Sequence, residues 1–270
     1  MTGSSADGGA MADDAVPIDP RPAVFSRARL RAPLRAGSRP AGMRAALRLL
    51  PTPRRNPFTF GYLALLLGTT LFARFGDPEL VRRLQSASSS DVHNLLVRPV
   101  SALLFSGFWV AGPVWMPYFW AFLATLAPLE RRIGGRRAAG VFATGHIGAT
   151  LLSQAVVAGA VAGGVLASGA LDELDIGVSY GVLTCLGALA GLLPLPGRVA
   201  VLAVAGALVG RQLLTDTDLV TAVGHPAALL VGVALWGRVR RGGRGPGRPL
   251  PLPHWPTVRP RRPGPARSEA

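Results

Sequence analysis

Two short stretches of the sequence each hold one residue that could do chemistry. GVSYG, residues 177–181, carries Ser179 between glycines, and GHPAALLVG, residues 224–232, carries His225. A histidine that takes the proton of a serine hydroxyl makes that oxygen a nucleophile for a peptide carbonyl. Gly177 and Gly181 alone also form a G-x-x-x-G pattern, which is common where two membrane helices touch. The choice between a nucleophile and a small packing residue depends on the elements that hold the serine.

The composition places those elements in a membrane. Of the 270 residues, 49% are hydrophobic and 16% are charged, a balance typical of a polytopic membrane protein. The net charge of +15 comes from arginine. Since the arginines flank apolar segments, they indicate cytoplasmic anchoring, and nucleic acid is not predicted as a partner. The usage rich in Arg, Ala, Gly and Pro is typical of a GC-rich bacterial genome, and the lone Cys185 can form no intrachain disulfide.

Six apolar segments approach the roughly 20 residues needed to cross a bilayer. Their predicted bounds are 57–75, 113–130, 137–163, 176–195, 198–214 and 218–237. We therefore predict an all-α membrane protein with a six-helix bundle over residues 57–238. The Arg- and Pro-rich residues 1–56 and the basic tail 239–270 are predicted to be disordered. No apolar stretch lies close behind the N-terminus, so a cleaved signal peptide is not predicted.

The arginines also set the predicted orientation. They cluster before the first segment, in ERRIGGRR after the second, at Arg198 after the fourth, and in RVRRGGRGPGR after the sixth. By the positive-inside rule both termini are cytoplasmic, as in a multi-pass protein of the bacterial cytoplasmic membrane. The long first outer connection, residues 76–112, is too broken by polar residues, Gly and Pro to span. We expect it to lie in the membrane interface, partly buried against the bundle.

Ser179 and His225 are predicted to lie at the same depth. Ser179 is about four residues into the fourth segment from its outer end, and His225 is about seven residues past Asp218 in the sixth. At 1.5 Å per residue, both sit roughly 5–10 Å below the outer surface. On a helix His225, Ala228 and Gly232 share a stripe of small residues that permits close helix approach. Such a pair, shielded from lipid, would hydrolyse an amide within the membrane.

The chain from about residue 58 to 238 resembles the rhomboid family of intramembrane serine proteases. GVSYG resembles the rhomboid G-x-S-G box, which implies Ser179 as the nucleophile. GHPAALLVG is similar to the AHxxGxxxG pattern of the sixth helix, which implies His225 as the base. The small residues predicted to pack helices around the site are Gly177, Gly181, Ala228 and Gly232.

Two further stretches carry the resemblance. LERRIGGRR is similar to the E-x-R-x-G stretch that ends the second rhomboid helix, matched by Glu130, Arg132 and Gly134. RPVSALLFS is similar to the WR-x-x-T segment of the first outer loop, matched by Arg98 and Ser101.

The chain departs from the family pattern beside the site. The rhomboid H-x-x-x-N, whose Asn helps the serine N–H to stabilise the oxyanion, falls near Val114 and Tyr118, and no His or Asn occurs between 95 and 145. Tyr180 replaces the glycine after the serine, and Leu183 stands where an aromatic residue often stacks on the base. Loss of one oxyanion donor typically costs about 10²–10³ in kcat.

The other histidines are less directly placed. His146, in ATGHIGATLLSQ of the third segment, is predicted to make hydrogen bonds between helices or to line a wet cavity. His93 and Asn94 in the outer loop are candidates to replace the missing oxyanion donors. No metal site and no cofactor are predicted, because no close-spaced ligand pair or carboxylate accompanies a histidine within a segment.

Two functions remain open on the sequence. The first is an intramembrane serine endopeptidase that cuts a transmembrane segment of another protein near its outer end, through Ser179 and His225. The second is a non-catalytic rhomboid-like protein that binds membrane partners with the same bundle. The Ser/His pair favours the first, and the lost H-x-x-x-N favours the second. Both imply a transmembrane protein partner and the lipid bilayer as surroundings.

Overall fold

The computed structural model describes residues 50–110, 115–215 and 218–242. Across these ranges the regular structure is helical, without a β-strand, which confirms the predicted all-α class. The two segments predicted to be disordered fall almost wholly outside the described residues.

Eleven α-helices and two short 3₁₀ helices form the described part of the chain. The α-helices are α1 (Pro57–Phe75), α2 (Pro78–Ser88), α3 (Val92–Val97), α4 (Pro99–Phe105), α5 (Met116–Ala124), α6 (Leu126–Ile133), α7 (Gly135–Ala162), α8 (Ser179–Ala190), α9 (Leu195–Thr215), α10 (Leu219–Ala234) and α11 (Trp236–Gly242). The 3₁₀ helices cover Ser106–Phe108 and Ser168–Asp172.

Within the described part of the chain, four helices are long and apolar enough to cross a membrane. They are α1, α7, α9 and the nearly continuous pair α10 and α11 over Leu219–Arg241. The predicted second segment is divided between α5 and α6, because Pro128 in the first turn of α6 has no N–H to bond Ala124. The predicted fourth segment forms only the 12 residues of α8. At 1.5 Å per residue α8 is roughly 18 Å long, shorter than the roughly 30 Å hydrocarbon core, so the six-span count stays a prediction.

The short helix α8 is the centre of the bundle, packed between α7 and α10. Eight of its residues are buried. Gly187 of α8 and Gly232 of α10 meet backbone to backbone, and a Cβ on either would overlap main-chain atoms of the other helix. Thr184 donates a hydrogen bond of 2.8 Å to the carbonyl of Ala228 at the same contact. Small residues therefore bring these helices close enough for main-chain contact.

The E-x-R-x-G stretch, at the end of α6, forms hydrogen bonds to the start of α1 and to the segment after α8. The buried Glu130 carboxylate accepts hydrogen bonds from the N–H groups of Phe58 and Thr59, each 2.9 Å long, and from the Thr59 hydroxyl at 2.7 Å. It thus caps the first turn of α1, whose N–H groups have no acceptor within the helix. Arg132 donates to the carbonyl of Leu192, after α8, at 3.0 Å. Gly134 ends α6 with φ +85°, which favours glycine.

The first outer connection folds into the short helices α2, α3 and α4. None is long enough to span, as predicted. Leu96, Val97 and Val100 are exposed on α3 and α4, whereas Trp109 and Val110 are buried. The connection thus has one apolar surface outside the fold and one end inside it, and its place in the membrane interface stays a prediction.

Candidate active site

The loop before α8 fixes where the serine begins the helix. Gly177 has φ +149°, and its N–H donates to the carbonyl of Ser106 at 3.0 Å. Val178 is fully buried, and Ser179 is the first residue of α8. Gly177 therefore lies outside the helix and contributes a backbone turn, whereas Gly181 packs within α8, where a Cβ would overlap the ring of Phe142.

Asp175 anchors the same loop to its surroundings. Its carbonyl accepts a hydrogen bond from the Ser90 N–H at 2.8 Å, and its N–H donates to the Ser89 hydroxyl at 2.9 Å. Its carboxyl accepts from the Gln154 amide at 2.8 Å and from the Ser90 hydroxyl at 3.1 Å. Burial raises the pKa of Asp175 to about 6. The outer connection and α7 thus hold the loop that presents Ser179.

The structure brings the two predicted site residues together. The Ser179 Oγ lies 3.0 Å from the His225 Nε2, within hydrogen-bonding distance. The two residues are 46 positions apart and lie on α8 and α10. The contact is compatible with the equal depth expected from the loop positions, and the depth itself stays a prediction.

Two contacts that the sequence did not reveal hold the imidazole. The His225 Nδ1 lies 2.7 Å from the Oε1 of Gln212, on α9. The ring of Tyr180 meets the imidazole edge to face, with centroids 5.6 Å apart and an interplanar angle of 83°. Tyr180 is itself held by a 3.0 Å hydrogen bond from its hydroxyl to the Val220 carbonyl. The aromatic neighbour of the base therefore comes from the residue after the serine, and Leu183 lines the pocket instead.

An apolar pocket of about 240 Å³ opens onto the pair between α5 and α9. Besides Ser179 and His225, it is lined by Pro117, Tyr118, Ala121, Val182, Leu183, Leu208, Val209 and Gln212. Tyr118 stands at the position of the rhomboid Asn and does reach this pocket, whereas Val114 lies outside the described residues. Tyr118 thus places a phenol near the position where the rhomboid pattern has an amide.

The first turn of α8 carries backbone N–H groups that could hold an oxyanion. The leading N–H groups of a helix have no acceptor within it, and the helix dipole favours negative charge there. Because Ser179 is the first residue of α8, its own N–H belongs to this set. A carbonyl attacked by the Ser179 oxygen would develop its charge beside these donors.

The remaining polar residues lie elsewhere. The His146 Nε2 is 3.2 Å from the Ser106 hydroxyl and 3.1 Å from the Leu103 carbonyl, so His146 makes the predicted bonds between elements. His93 lies 3.9 Å from the exposed Asp172 carboxylate. Asn94 is bonded to Asp91 and accepts from Arg98. Neither His93 nor Asn94 lines the pocket at Ser179, so the structure does not support them as oxyanion donors.

These features define a class of protein, an α-helical multi-pass membrane protein with a serine and a histidine in contact between its central helices. A model of the family described as rhomboid-like protein matches residues 52–245. The chain belongs to the rhomboid-like protein family. No curated protein and no solved structure gives a significant match to it.

Proposed function

We propose that this chain is an intramembrane serine endopeptidase that cuts a transmembrane segment of another membrane protein. The observation that carries the proposal is the 3.0 Å contact between the Ser179 Oγ and the His225 Nε2, at the mouth of an apolar pocket. Membership of the rhomboid-like family supports it. No cofactor and no metal take part in the proposed chemistry.

The first half of the reaction forms an acyl-enzyme. The Ser179 oxygen attacks the carbonyl carbon of the scissile peptide while its proton passes to the His225 Nε2. The oxyanion is stabilised by the N–H of Ser179 at the start of α8. Collapse of the intermediate breaks the C–N bond, and the imidazolium gives its proton to the leaving amine.

The second half releases the product. A water molecule attacks the ester carbon while His225 takes one of its protons. The ester C–O bond then breaks, Ser179 recovers its proton from the imidazolium, and the new terminus leaves as a carboxylic acid. Each half returns the histidine to its neutral form. Over the whole cycle one peptide bond and one water molecule are consumed.

The surroundings of the pair fit a substrate that arrives from the bilayer. Apart from Tyr118 and Gln212, the pocket walls on α5, α8 and α9 are apolar, and the exposed faces of α9 carry Val204, Leu208 and Leu214. An apolar segment is stable against such walls, whereas a charged peptide is not. We therefore propose that the substrate is the outer end of a transmembrane helix.

The proposed topology has six spans with both termini in the cytoplasm. It is supported by clusters of arginine on one set of connections and by acidic residues on the other, where Arg82, Arg83, Arg98 and Arg211 also occur. In this orientation the pair opens to the outer side of a bacterial cytoplasmic membrane, where water can enter.

The second candidate is a catalytically inactive rhomboid-like protein that binds membrane partners. It is favoured by the loss of the rhomboid H-x-x-x-N motif, whose positions fall near Val114 and Tyr118. Of these two residues, the structure describes Tyr118. Both candidates use the same bundle and differ in whether a peptide bond is broken.

Cleavage in liposomes separates the two candidates. The purified chain is reconstituted with a single-span reporter protein, and the reporter is followed by gel and mass spectrometry. We expect cleavage near the outer end of the reporter span by the wild type and none by Ser179→Ala or His225→Ala. A reporter that co-purifies with the wild type and stays intact would support the binding protein and contradict the protease.

A further inference from the structure

The imidazole of His225 is held at both of its nitrogens. Its Nε2 faces the Ser179 Oγ at 3.0 Å, and its Nδ1 faces the Gln212 Oε1 at 2.7 Å. The Nδ1 contact is the shorter of the two and joins α10 to α9. Both lie well within the range of a hydrogen bond.

The amide oxygen decides which imidazole tautomer is stable. An amide oxygen can only accept, so the hydrogen bond requires the proton to be on the Nδ1 of His225. The Nε2 then carries a lone pair and accepts from the Ser179 hydroxyl. The opposite tautomer would place an N–H against Ser179 and could not take its proton. In the orientation that the structure shows, with the amide oxygen on the Nδ1, Gln212 favours the form of the imidazole that can act as a base.

We propose that Gln212 is the positioning residue of the Ser179–His225 pair, acting through the imidazole in the way that an acidic residue acts in a Ser–His–Asp triad. This inference rests on the proposed function. A neutral amide supplies the acceptor without placing a charge at membrane depth, where an ionised side chain is costly. The pair is thereby completed by α9, which is anchored by the buried Ala205 and Val209.

Other polar and titratable groups lie around the imidazole and are held constant in the test. Tyr180 on α8 meets the ring edge to face, Tyr118 on α5 lines the same pocket, and Asp218 caps α10 below it. The Gln212 amide oxygen faces the Nδ1 at 2.7 Å. A change at Gln212 removes this contact and leaves the other groups in place.

The kinetic test compares isosteric variants of Gln212 with a neighbour on the same helix. Gln212→Met keeps the length of the side chain and removes the acceptor, whereas Gln212→Glu keeps an acceptor oxygen. Leu213→Met, at a half-exposed position, is the matched control. The readout is the reaction of each full-length protein with a fluorophosphonate, separated into the binding constant and the maximal rate of inactivation.

We expect Gln212→Met to lower the maximal rate about tenfold, the equivalent of one hydrogen bond, with little change in probe binding. Gln212→Glu should restore most of the rate, because a carboxylate oxygen accepts the same bond. Leu213→Met should react like the wild type. Equal maximal rates for the wild type and Gln212→Met would overturn the inference, as would the same loss in Leu213→Met.

A spectroscopic measurement distinguishes failure of this inference from failure of the proposed function. In protein carrying ¹⁵N-histidine, the imidazole nitrogens report the tautomer, and His225→Ala assigns the signal. We expect the Nδ1-protonated form in the wild type and in Gln212→Glu, and a shift toward the other form in Gln212→Met. An unreactive wild type with this pattern would refute the protease while retaining the role of Gln212 in fixing the ring. A tautomer that does not change in Gln212→Met would refute that role.

Discussion

Removing the acceptor that caps α1 should destabilise the fold by an amount that depends on which hydrogen bonds are lost. The Glu130 carboxylate serves three donors at once, the N–H groups of Phe58 and Thr59 and the Thr59 hydroxyl. It is only 3% exposed, so water cannot replace it. In Glu130→Gln one of the two oxygens becomes an NH₂ group, which must leave a backbone N–H facing another donor.

The magnitude follows from counting these bonds. A buried N–H without an acceptor costs about 1–3 kcal/mol, so Glu130→Gln should lower the free energy of unfolding by about 2 kcal/mol. Glu130→Ala leaves both N–H groups unsatisfied and should cost about 4 kcal/mol on the same basis. Thr59→Val removes only the hydroxyl donor and should cost about 1 kcal/mol.

The assay is an SDS titration of the full-length protein in mixed micelles, followed by circular dichroism. The expected order of loss is Glu130→Ala, then Glu130→Gln, then Thr59→Val. A Glu130→Gln variant no less stable than Thr59→Val would refute the reasoning, because it would mean that the two N–H groups do not depend on the carboxylate.

Two further predictions concern the loop and the aromatic neighbour of the base. Burial raises the pKa of Asp175 from 3.8 to about 6, so the folded state binds a proton at this carboxyl more tightly than the unfolded state does. The resulting contribution to the free energy of unfolding is lost as the pH rises through 6. The apparent Tm in micelles should therefore be higher at pH 5 than at pH 7.5, by the equivalent of about 1 kcal/mol, and Asp175→Asn should remove this difference; an unchanged difference in the variant would contradict the assignment. Gly224→Ala should lower fluorophosphonate reactivity at least about tenfold, because the added Cβ overlaps the ring of Tyr180 that packs on His225. Gly206→Ala on α9, where a Cβ meets nothing within 4 Å, is the control and should react like the wild type.

The site pair was predictable from the sequence because its signals are local and repeated. Ser179 and His225 each sit in a small-residue stretch a similar distance from an acidic connection, so simple depth counting brings them together. Gln212 carries no such signal. It lies next to Arg211 near the end of an apolar helix, and its contact with His225 depends on how α9 and α10 meet, which neither periodicity nor spacing encodes.

The lengths of the helices were only partly predictable. Hydropathy joins residues 176–195 into one apolar segment, yet α8 begins at Ser179 and ends at Ala190, before the LPLP stretch. A helix enclosed by α7 and α10 need not match the thickness of the bilayer. Likewise Pro128 breaks the second segment within an apolar run, because the missing N–H matters to the helix and not to the hydropathy.

Tyr180, which replaces the glycine after the serine, supplies the aromatic neighbour of His225. The rhomboid pattern often has an aromatic neighbour of the base four residues after the serine, where Leu183 stands in this chain. The structure supplies the ring from the next residue instead, in the space left by Gly224. Tyr180, which departs from the family pattern, thus makes the aromatic contact with His225 that the pattern assigns to the position of Leu183.

The central claim is that Ser179 is a nucleophile activated by His225, and covalent labelling tests it most directly. The full-length protein is treated with a fluorophosphonate and the adduct is located by mass spectrometry, with Ser88→Ala, at a partly exposed serine of α2, as the control variant. We expect one adduct on Ser179 in the wild type and in Ser88→Ala, none in Ser179→Ala, and strongly reduced labelling in His225→Ala. Equal labelling of the wild type and Ser179→Ala would contradict it.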